Sequence, residues 1–322
     1  QIAANKKGIH ELKAMIEQFG LATVAAYTKH IQDNAELAVR EVISKLKNGN
    51  FTYAMDNGCK IQLSVTIDNK NKSATVDFTG TSKQKNNNFN APKAVCRAAV
   101  LYVFRTLVKE NIPLNEGCLK PITIIIPDDC LLNPRYPAAV VAGNVETSQV
   151  IVDALYGAMG VMAGAQGTMN NFVFGNEKYQ YYETICGGSG AGNGFDGCSA
   201  VQTHMTNSRI TDPEILEQRF PVVVEQFSIR QDSGGQGKWN GGNGVVRKIR
   251  FLEPMLATIL SNRRTIAPFG LEGGISGALG HNYVICQNGD KVTLKASDSH
   301  QMNTGDVFVV ETPGGGGFGV KG

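Results

Sequence analysis

The sequence predicts an α+β protein in three parts: a helical amino-terminal segment over residues 1–50, a mixed α+β region over 51–220, and an all-β domain, sandwich or barrel, over 221–322. Three observations predict it. Apolar residues recur at steps of three and four near the start, the pattern changes to alternation after residue 50, and beyond Pro221 every apolar run is short and strand-like. A chain of 322 residues has room for two or three domains of about 100–150 residues each.

Residues 2–19 read as helix. Val24, Tyr27, Ile31, Ala35, Ala38, Val42 and Leu46 then draw one apolar stripe along a helical stretch that Gly49 ends. Ile61, Leu63, Val65 and Ile67 alternate with Gln62, Ser64 and Thr66, and the polar run 68–72 turns the chain into Ala74, Val76 and Phe78, a hairpin with one wet face. Asn90 and Pro92 open a helix to about residue 108, apolar nearly all round and so expected at the centre. The β-branched run 122–126, stopped by Pro127, reads as a buried strand. Thr147 or Ser148 is placed to cap a helix reaching about Met162, where Gly157, Ala158, Gly160, Ala163 and Gly164 let another backbone approach closely. Thr211-x-x-Glu214 with Pro213 has the form of a capping box. In the tail, strands are expected at 222–229, 245–252, 257–260, 283–286, 291–294 and 307–310, with Asn288-Gly289 as a hairpin turn.

Composition excludes several roles. A net charge of +3 without a basic cluster makes no electrostatic case for nucleic acid. No apolar run approaches the roughly 20 residues of a membrane helix, the best, 94–108, being interrupted by Arg97 and Arg105, and no signal peptide is seen. Seven cysteines, odd in number and without a C-x-x-C, suit the reduced thiols of a cytoplasmic protein. Residue 1 is Gln and the chain opens inside a helical pattern, so an upstream part is expected.

Candidate chemistry concentrates between Asn144 and Arg209. The run Gly187-Gly188-Ser189-Gly190-Ala191-Gly192-Asn193-Gly194 lets backbone approach a ligand. Gly192-x-Gly194-x-x-Gly197 has dinucleotide-fingerprint spacing but lacks the strand–helix context, and no Gly-Lys-Ser/Thr of a phosphate loop is present. Its N–H groups remain candidates for an anion-holding nest, or for a tight turn between strands. A second run, 314–317, reads equally as a packing loop or a ligand contact. Asn144, Glu146, Thr147 and Ser148 put more polar groups at a helix amino end than capping needs. Asn170-Asn171 sits among small residues, although asparagine pairs often serve turns. His204 has hydroxyls, Asn207 and Arg209 within five positions, although a lone histidine is more often structural. There is no H-E-x-x-H, no paired histidines, no Gly-x-Ser-x-Gly elbow and no adjacent Cys/His pair, so no metal ligand is assigned.

Taken in order, nine stretches resemble the hydantoinase B/oxoprolinase family over essentially the whole chain. They are His30-Ile31-Gln32-Asp33-Asn34-Ala35-Glu36, Asn90-Ala91-Pro92, Gly143-Asn144-Val145-Glu146-Thr147-Ser148-Gln149, Gln166-Gly167-Thr168-Met169-Asn170-Asn171, Tyr181-Tyr182-Glu183-Thr184, the glycine loop, His204-Met205-Thr206-Asn207, Arg209-Ile210-Thr211-Asp212-Pro213-Glu214 and Thr312-Pro313-Gly314-Gly315-Gly316-Gly317. Ile112-Pro113-Leu114-Asn115-Glu116-Gly117-Cys118-Leu119 and Glu214-Ile215-Leu216-Glu217 look closest to the ATP-dependent 5-oxoprolinases.

The resemblance implies a carboxyl-terminal fragment, inactive alone, of an ATP-dependent cyclic amidase that hydrolyses 5-oxoproline to glutamate. A hydantoinase B or acetone-carboxylase-type subunit, and a non-catalytic structural region of the same assembly, are the alternatives. It also implies ATP and a divalent metal for the complete enzyme but neither on this segment. The implied partners are a hydantoinase A-type ATP-binding part, which phosphorylates the amide oxygen, and the amino-terminal half of the B-type part, within a homo-oligomer. Chemical reasoning, rather than the resemblance, then assigns roles. Glu146 or Glu183 activates water, and Asn170 with the N–H groups of Gly187, Gly188, Ser189 and Gly190 receives the oxyanion. His204 and Arg209 hold phosphate or a substrate carboxylate, and Asn144, Ser148 and Asn207 complete the substrate contacts.

Overall fold

Helix α1 spans Ile2–Phe19 and α2 spans Leu21–Ile43 in the computed structural model, which describes residues 1–322. Gly20 separates them at φ 82, a backbone region open chiefly to glycine. Helix α2 buries Val24, Ala35, Val39 and Ile43, while Tyr27 and Ile31 of the predicted stripe are exposed. The buried face is set by its neighbour, a 3-10 turn at Glu116–Leu119. A Cβ on Gly117 would lie 2.1 Å from the Gln32 carbonyl oxygen, so only glycine allows this approach. Lys120 reaches Asp33 at 3.0 Å and Glu36 at 3.6 Å around the same contact. These segments belong to one compact unit, Gln1–Leu46 with Ile67–Thr75 and Phe104–Thr123, and the rest of the chain forms the other.

Strands β1 (Gly49–Ala54), β2 (Lys60–Asp68) and β3 (Ser73–Asp77) are followed by helix α3 (Lys93–Thr106) and strand β4 (Ile122–Ile125). The strands form one sheet in the order β1-β2-β3-β4. As the alternation predicts, β2 buries Ile61, Leu63 and Val65. Two expectations are corrected. Helix α3 buries Cys96, Ala99, Val100 and Val103 but exposes Lys93, Ala94, Arg97 and Ala98, so its alanines made a one-sided helix look central. Strand β4 is an edge strand with one neighbour, and Ile125 is 43% exposed. β-branching predicted the strand, but its place in the sheet decides its burial.

A π-turn at Gly143–Thr147 leads into α4 (Ser148–Met159), which is buried from Ser148 to Ala158. Neither predicted capping hydroxyl caps it: Thr147 Oγ1 donates to the Phe89 carbonyl and Ser148 Oγ to the Asn144 carbonyl, each at 2.6 Å. The backbone that approaches it is that of β1, since a Cβ on Gly49 would lie 1.8 Å from the Ala158 oxygen, while Gly157 faces an aromatic ring instead, Phe51, at 2.8 Å.

The remaining elements are β5 (Asn171–Gly175), β6 (Gln180–Thr184), α5 (Pro213–Arg219), β7 (Val222–Ile229), β8 (Val245–Phe251), β9 (Met255–Leu260), β10 (His281–Ile285), β11 (Lys291–Leu294), β12 (Ser297–Met302) and β13 (Val307–Glu311). The cap of α5 is Asp212, which accepts from the Glu214 N–H at 3.2 Å, rather than Thr211. The strands form two antiparallel sheets, β11-β10-β13-β8-β7 and β12-β9-β5-β6, around one core that includes Phe172, Phe174, Phe251, Phe308 and Ile259. This is an open sandwich, and each such buried side chain contributes about 1.5–3 kcal/mol. Its second sheet takes β5 and β6 from the region before residue 221.

The two glycine runs pack against each other. The Gly188 N–H donates to Pro313 (3.1 Å), Gly242 to Ser189 (2.9 Å), Gly315 to Gly242 (2.8 Å) and Ala191 to Gly316 (3.0 Å). A Cβ would lie 1.9 Å from the Gly242 oxygen on Gly188, and 1.8 Å from the Ser189 oxygen on Gly315. Backbone meets backbone here, with no layer of side chains between.

Gly188→Ala and Gly315→Ala are therefore expected to lower the unfolding free energy by about 3 kcal/mol or more, since rigid backbone cannot yield as a side chain does. Gly8→Ala, with nothing within 4 Å in α1, should raise helix stability by about 0.5–1 kcal/mol. Urea denaturation of the three variants checks both signs, and a neutral Gly188→Ala would contradict the packing described.

Candidate functional site

A buried polar cluster surrounds Glu146, which the π-turn carries into the interior with no exposed surface. Its Oε1 accepts from Thr168 Oγ1 (2.9 Å), the Met169 N–H (3.0 Å) and Asn171 Nδ2 (2.7 Å). Its Oε2 is buried without a hydrogen-bond partner. Burial pushes the carboxyl up to about 8, against the opposing pull of those donors and of the Arg264 charge. At neutral pH the group holds its proton, and Oε2 is the oxygen left free to carry it.

Asn170 sits beside it at φ 44, in the left-handed region where asparagine is among the residues best tolerated. It is held on every side. Its N–H donates to Thr168 Oγ1 (3.0 Å), and its Nδ2 to Gln166 Oε1 (2.8 Å) and the Ile185 carbonyl (3.0 Å). Its Oδ1 accepts from Arg264 Nη2 at 2.8 Å. Arg264 also donates to Asn282 Oδ1 and, at 2.7 Å, to the Asn262 carbonyl. Burial pulls its guanidinium down to about 10, so it stays a cation at neutral pH. Sequence reasoning missed Arg264 because it lies in a tail read only for strands. The available signal was Arg263-Arg264, the chain's only adjacent arginines.

His204 belongs to a different cluster. At φ 50 its Nε2 lies 2.9 Å from Asp153 Oδ1, and Asp153 also accepts from Tyr53 Oη (3.1 Å) and the Ala165 N–H (3.1 Å). Gln149 Nε2 donates to the Thr203 carbonyl (3.1 Å) and Thr206 Oγ1 (2.9 Å), which ties the His204 loop to α4. Asp153, one α-helical turn past Gln149, was hidden within an apolar helix.

Glu183 forms a third cluster. Arg247 grips it through Nε (3.2 Å) and Nη2 (3.0 Å), and Tyr181 Oη donates to it at 2.8 Å. Alternation along β6 puts Tyr182 and Glu183 on opposite faces. Tyr182 Oη reaches Asn171 Oδ1 at 2.8 Å, on the side of Glu146, while Glu183 points into the sandwich. The two acids considered together from sequence are thus separated by a sheet.

Of the other candidates, Asn144, Asn207 and Arg209 are exposed, and Ser148 bonds back to Asn144. The N–H groups of Gly188 and Ser189 are already given to the carbonyls of Pro313 and Cys198, so they are not free for an oxyanion. A Cβ on Gly190 would lie 1.9 Å from the Ala163 oxygen, which marks it as a packing residue. The fold therefore joins Glu146 and Asn170, adds Thr168, Asn171, Gln166 and Arg264, and leaves the remaining candidates elsewhere. Such a neutral buried carboxyl beside a fixed cation can give or take a proton near neutrality.

Because the unfolded Glu146 carboxyl titrates near 4.5 and the folded one near 8, the folded chain keeps a proton through this window that the unfolded chain has lost. Stability therefore falls as pH rises between those values and levels off above. Glu146→Gln removes that term, so its stability relative to the parent should improve steadily from pH 5 to 8.5 in denaturant titrations. A difference that does not vary with pH would show Glu146 ionised in the fold. Arg247→Met, which strands Glu183 without its cation, should cost about 3–5 kcal/mol, read from the same titrations at pH 7.

Residues 1–321 match the family described as hydantoinase B/oxoprolinase. The chain is 47% identical over its full length to a 5-oxoprolinase of Dictyostelium discoideum, and 47% identical over 99% of its length to 5-oxoprolinase 1 of Arabidopsis thaliana. It spans about a quarter (26%) of the length of each. The crystal structure of an ATP-dependent caprolactamase from Pseudomonas jessenii shares the fold, with a TM-score of 0.84 at 20% identity over 99% of this chain and 60% of that one.

Proposed function

This chain belongs to the hydantoinase B/oxoprolinase family, and we propose that in the complete protein it forms part of an enzyme that opens 5-oxoproline to glutamate with hydrolysis of ATP. The substrate rests on the 47% identity to proteins named 5-oxoprolinase. The observation that carries a chemical role is Glu146: a neutral, buried carboxyl with three donors on one oxygen and none on the other.

An amide is a poor electrophile, and ATP coupling supplies a leaving group on its oxygen. By the family resemblance, ATP and its divalent metal belong to other parts of such an enzyme, the hydantoinase A-type part and the remainder of the B-type part. What falls to this chain is proton handling. Water adds to the O-phosphorylated lactam; when the C–N bond of that adduct opens, the ring nitrogen leaves as an amine and needs a proton, and the acyl phosphate left behind is hydrolysed to carboxylate and phosphate. Glu146, protonated at neutral pH, is suited to give the nitrogen its proton from Oε2 and to recover one from the hydroxyl that the added water left on the carbon. This makes it an acid first, where the sequence suggested a base. Asn170 and Arg264 act as positioning residues, fixing the Thr168–Met169–Asn171 donors and supplying the field that stabilises the carboxylate once it forms.

In the complete enzyme, Glu146→Gln should lower turnover of 5-oxoproline by about 100-fold or more with folding retained, and parental turnover should decline as pH rises through about 8. Coupled glutamate release measured across pH 6–9 checks both. Near-normal turnover of the variant would remove Glu146 from the mechanism. No ATP-dependent glutamate release by the parent would remove the substrate.

A further inference from the structure

A cavity of about 680 Å³ lies among β10, β11, the loops at 261–265 and 295–296 and the start of β12. Sites for small molecules occupy about 300–1,000 Å³. No residue singled out from the sequence lines it.

Its walls are largely apolar, formed by Phe89, Leu294, Ala296 and the Tyr283 ring. Its charged groups are three cations, Arg264, Lys291 and Lys295, and two carboxylates, Asp56 and Glu311. Both carboxylates are already committed. Asp56 accepts from the N–H groups of Arg264 (2.6 Å), Thr265 (3.3 Å) and Ile266 (3.1 Å) and from Thr265 Oγ1 (2.9 Å). Glu311 accepts from Tyr283 Oη at 3.0 Å and pairs with Arg230 at 3.5 Å. The Arg264 fork is also spent, on Asn170, Asn262 and Asn282. The lysines are not: no partner takes the Lys295 ammonium, and that of Lys291 lies over the Tyr283 ring at 3.7 Å. One more donor on the wall is unspent, since Asn262 is 1% exposed and its Nδ2 has no hydrogen-bond partner.

We propose that this cavity is a binding site for a small organic carboxylate with an apolar body. The carboxylate is held by Lys291 and Lys295, and the body lies against Tyr283, Leu294 and Ala296. Inorganic phosphate is disfavoured, because the wall offers two point charges rather than a free guanidinium fork or a row of backbone N–H groups. An uncharged ligand leaves the excess of cations uncompensated. Glu146 does not line the cavity, while Arg264, which holds Asn170 beside Glu146, lies in its wall.

The test is calorimetric titration of the full chain with cyclopentanecarboxylate, with cyclopentanol and inorganic phosphate in parallel, and amide shift mapping at Tyr283 and Ala296. The expected result is saturable one-to-one binding of the carboxylate, at least tenfold tighter than either comparator. Lys291→Met/Lys295→Met, both on exposed residues, should weaken it at least tenfold without moving the melting temperature. Ala296→Phe, which fills the cavity while leaving both lysines, should also abolish it. No saturable binding, equal binding of phosphate, or binding unchanged in both variants would overturn the proposal.

Discussion

Gly315 has the Ser189 carbonyl where its side chain would be, and Gly188 has that of Gly242. Three strips of bare backbone therefore lie against one another, and much else is positioned from there. The Gln166 N–H donates to the Gly188 carbonyl at 2.8 Å, and a Cβ on Gly187 would collide with the Gln166 side chain at 2.1 Å. Gln166 in turn accepts from Asn170, whose neighbours Thr168, Met169 and Asn171 supply the three donors to Glu146. The glycines that looked like a ligand loop act one layer further out, as the template on which the polar cluster is laid.

Two buried glutamates show how placement decides chemistry. Glu183 is gripped through two nitrogens of Arg247, an arrangement that immobilises both groups inside the sandwich. Glu146 also has an arginine near it, but Asn170 takes up the Arg264 donor, so the carboxyl feels the cation only as a field. Desolvation then outweighs attraction and the proton stays. The same two residue types yield a structural tie in one case and a titratable group in the other.

Much of this was legible in the sequence where local pattern and final environment agree. Alternation marked β2 and β3, the Asn288-Gly289 turn falls between β10 and β11, polar density before α4 drew attention to Glu146, and the asparagine pair drew attention to Asn170. Strand β12, Ser-Asp-Ser-His-Gln-Met, was missed because it carries almost no strand propensity and is held only by β9. Arg264 and Asp153 were missed for another reason. Their roles arise from partners far away in the chain, such as Asn170 and Asn282 for Arg264 and Tyr53 for Asp153, and no local spacing encodes them.

The glycine contacts join residues more than a hundred positions apart, such as Gly188 with Pro313 and Gly164 with Gly316. Contacts so distant in sequence close late, because the loop entropy is lost before any contact forms to offset it. The hairpins β7–β8 and β10–β11 can assemble as soon as they are synthesised. The bed beneath Glu146 cannot, because it waits for residues 313–316. A ribosome-bound intermediate would thus hold the acid's own helix and turn but lack their template, so proton retention at residue 146 is acquired only after translation has passed the second glycine run.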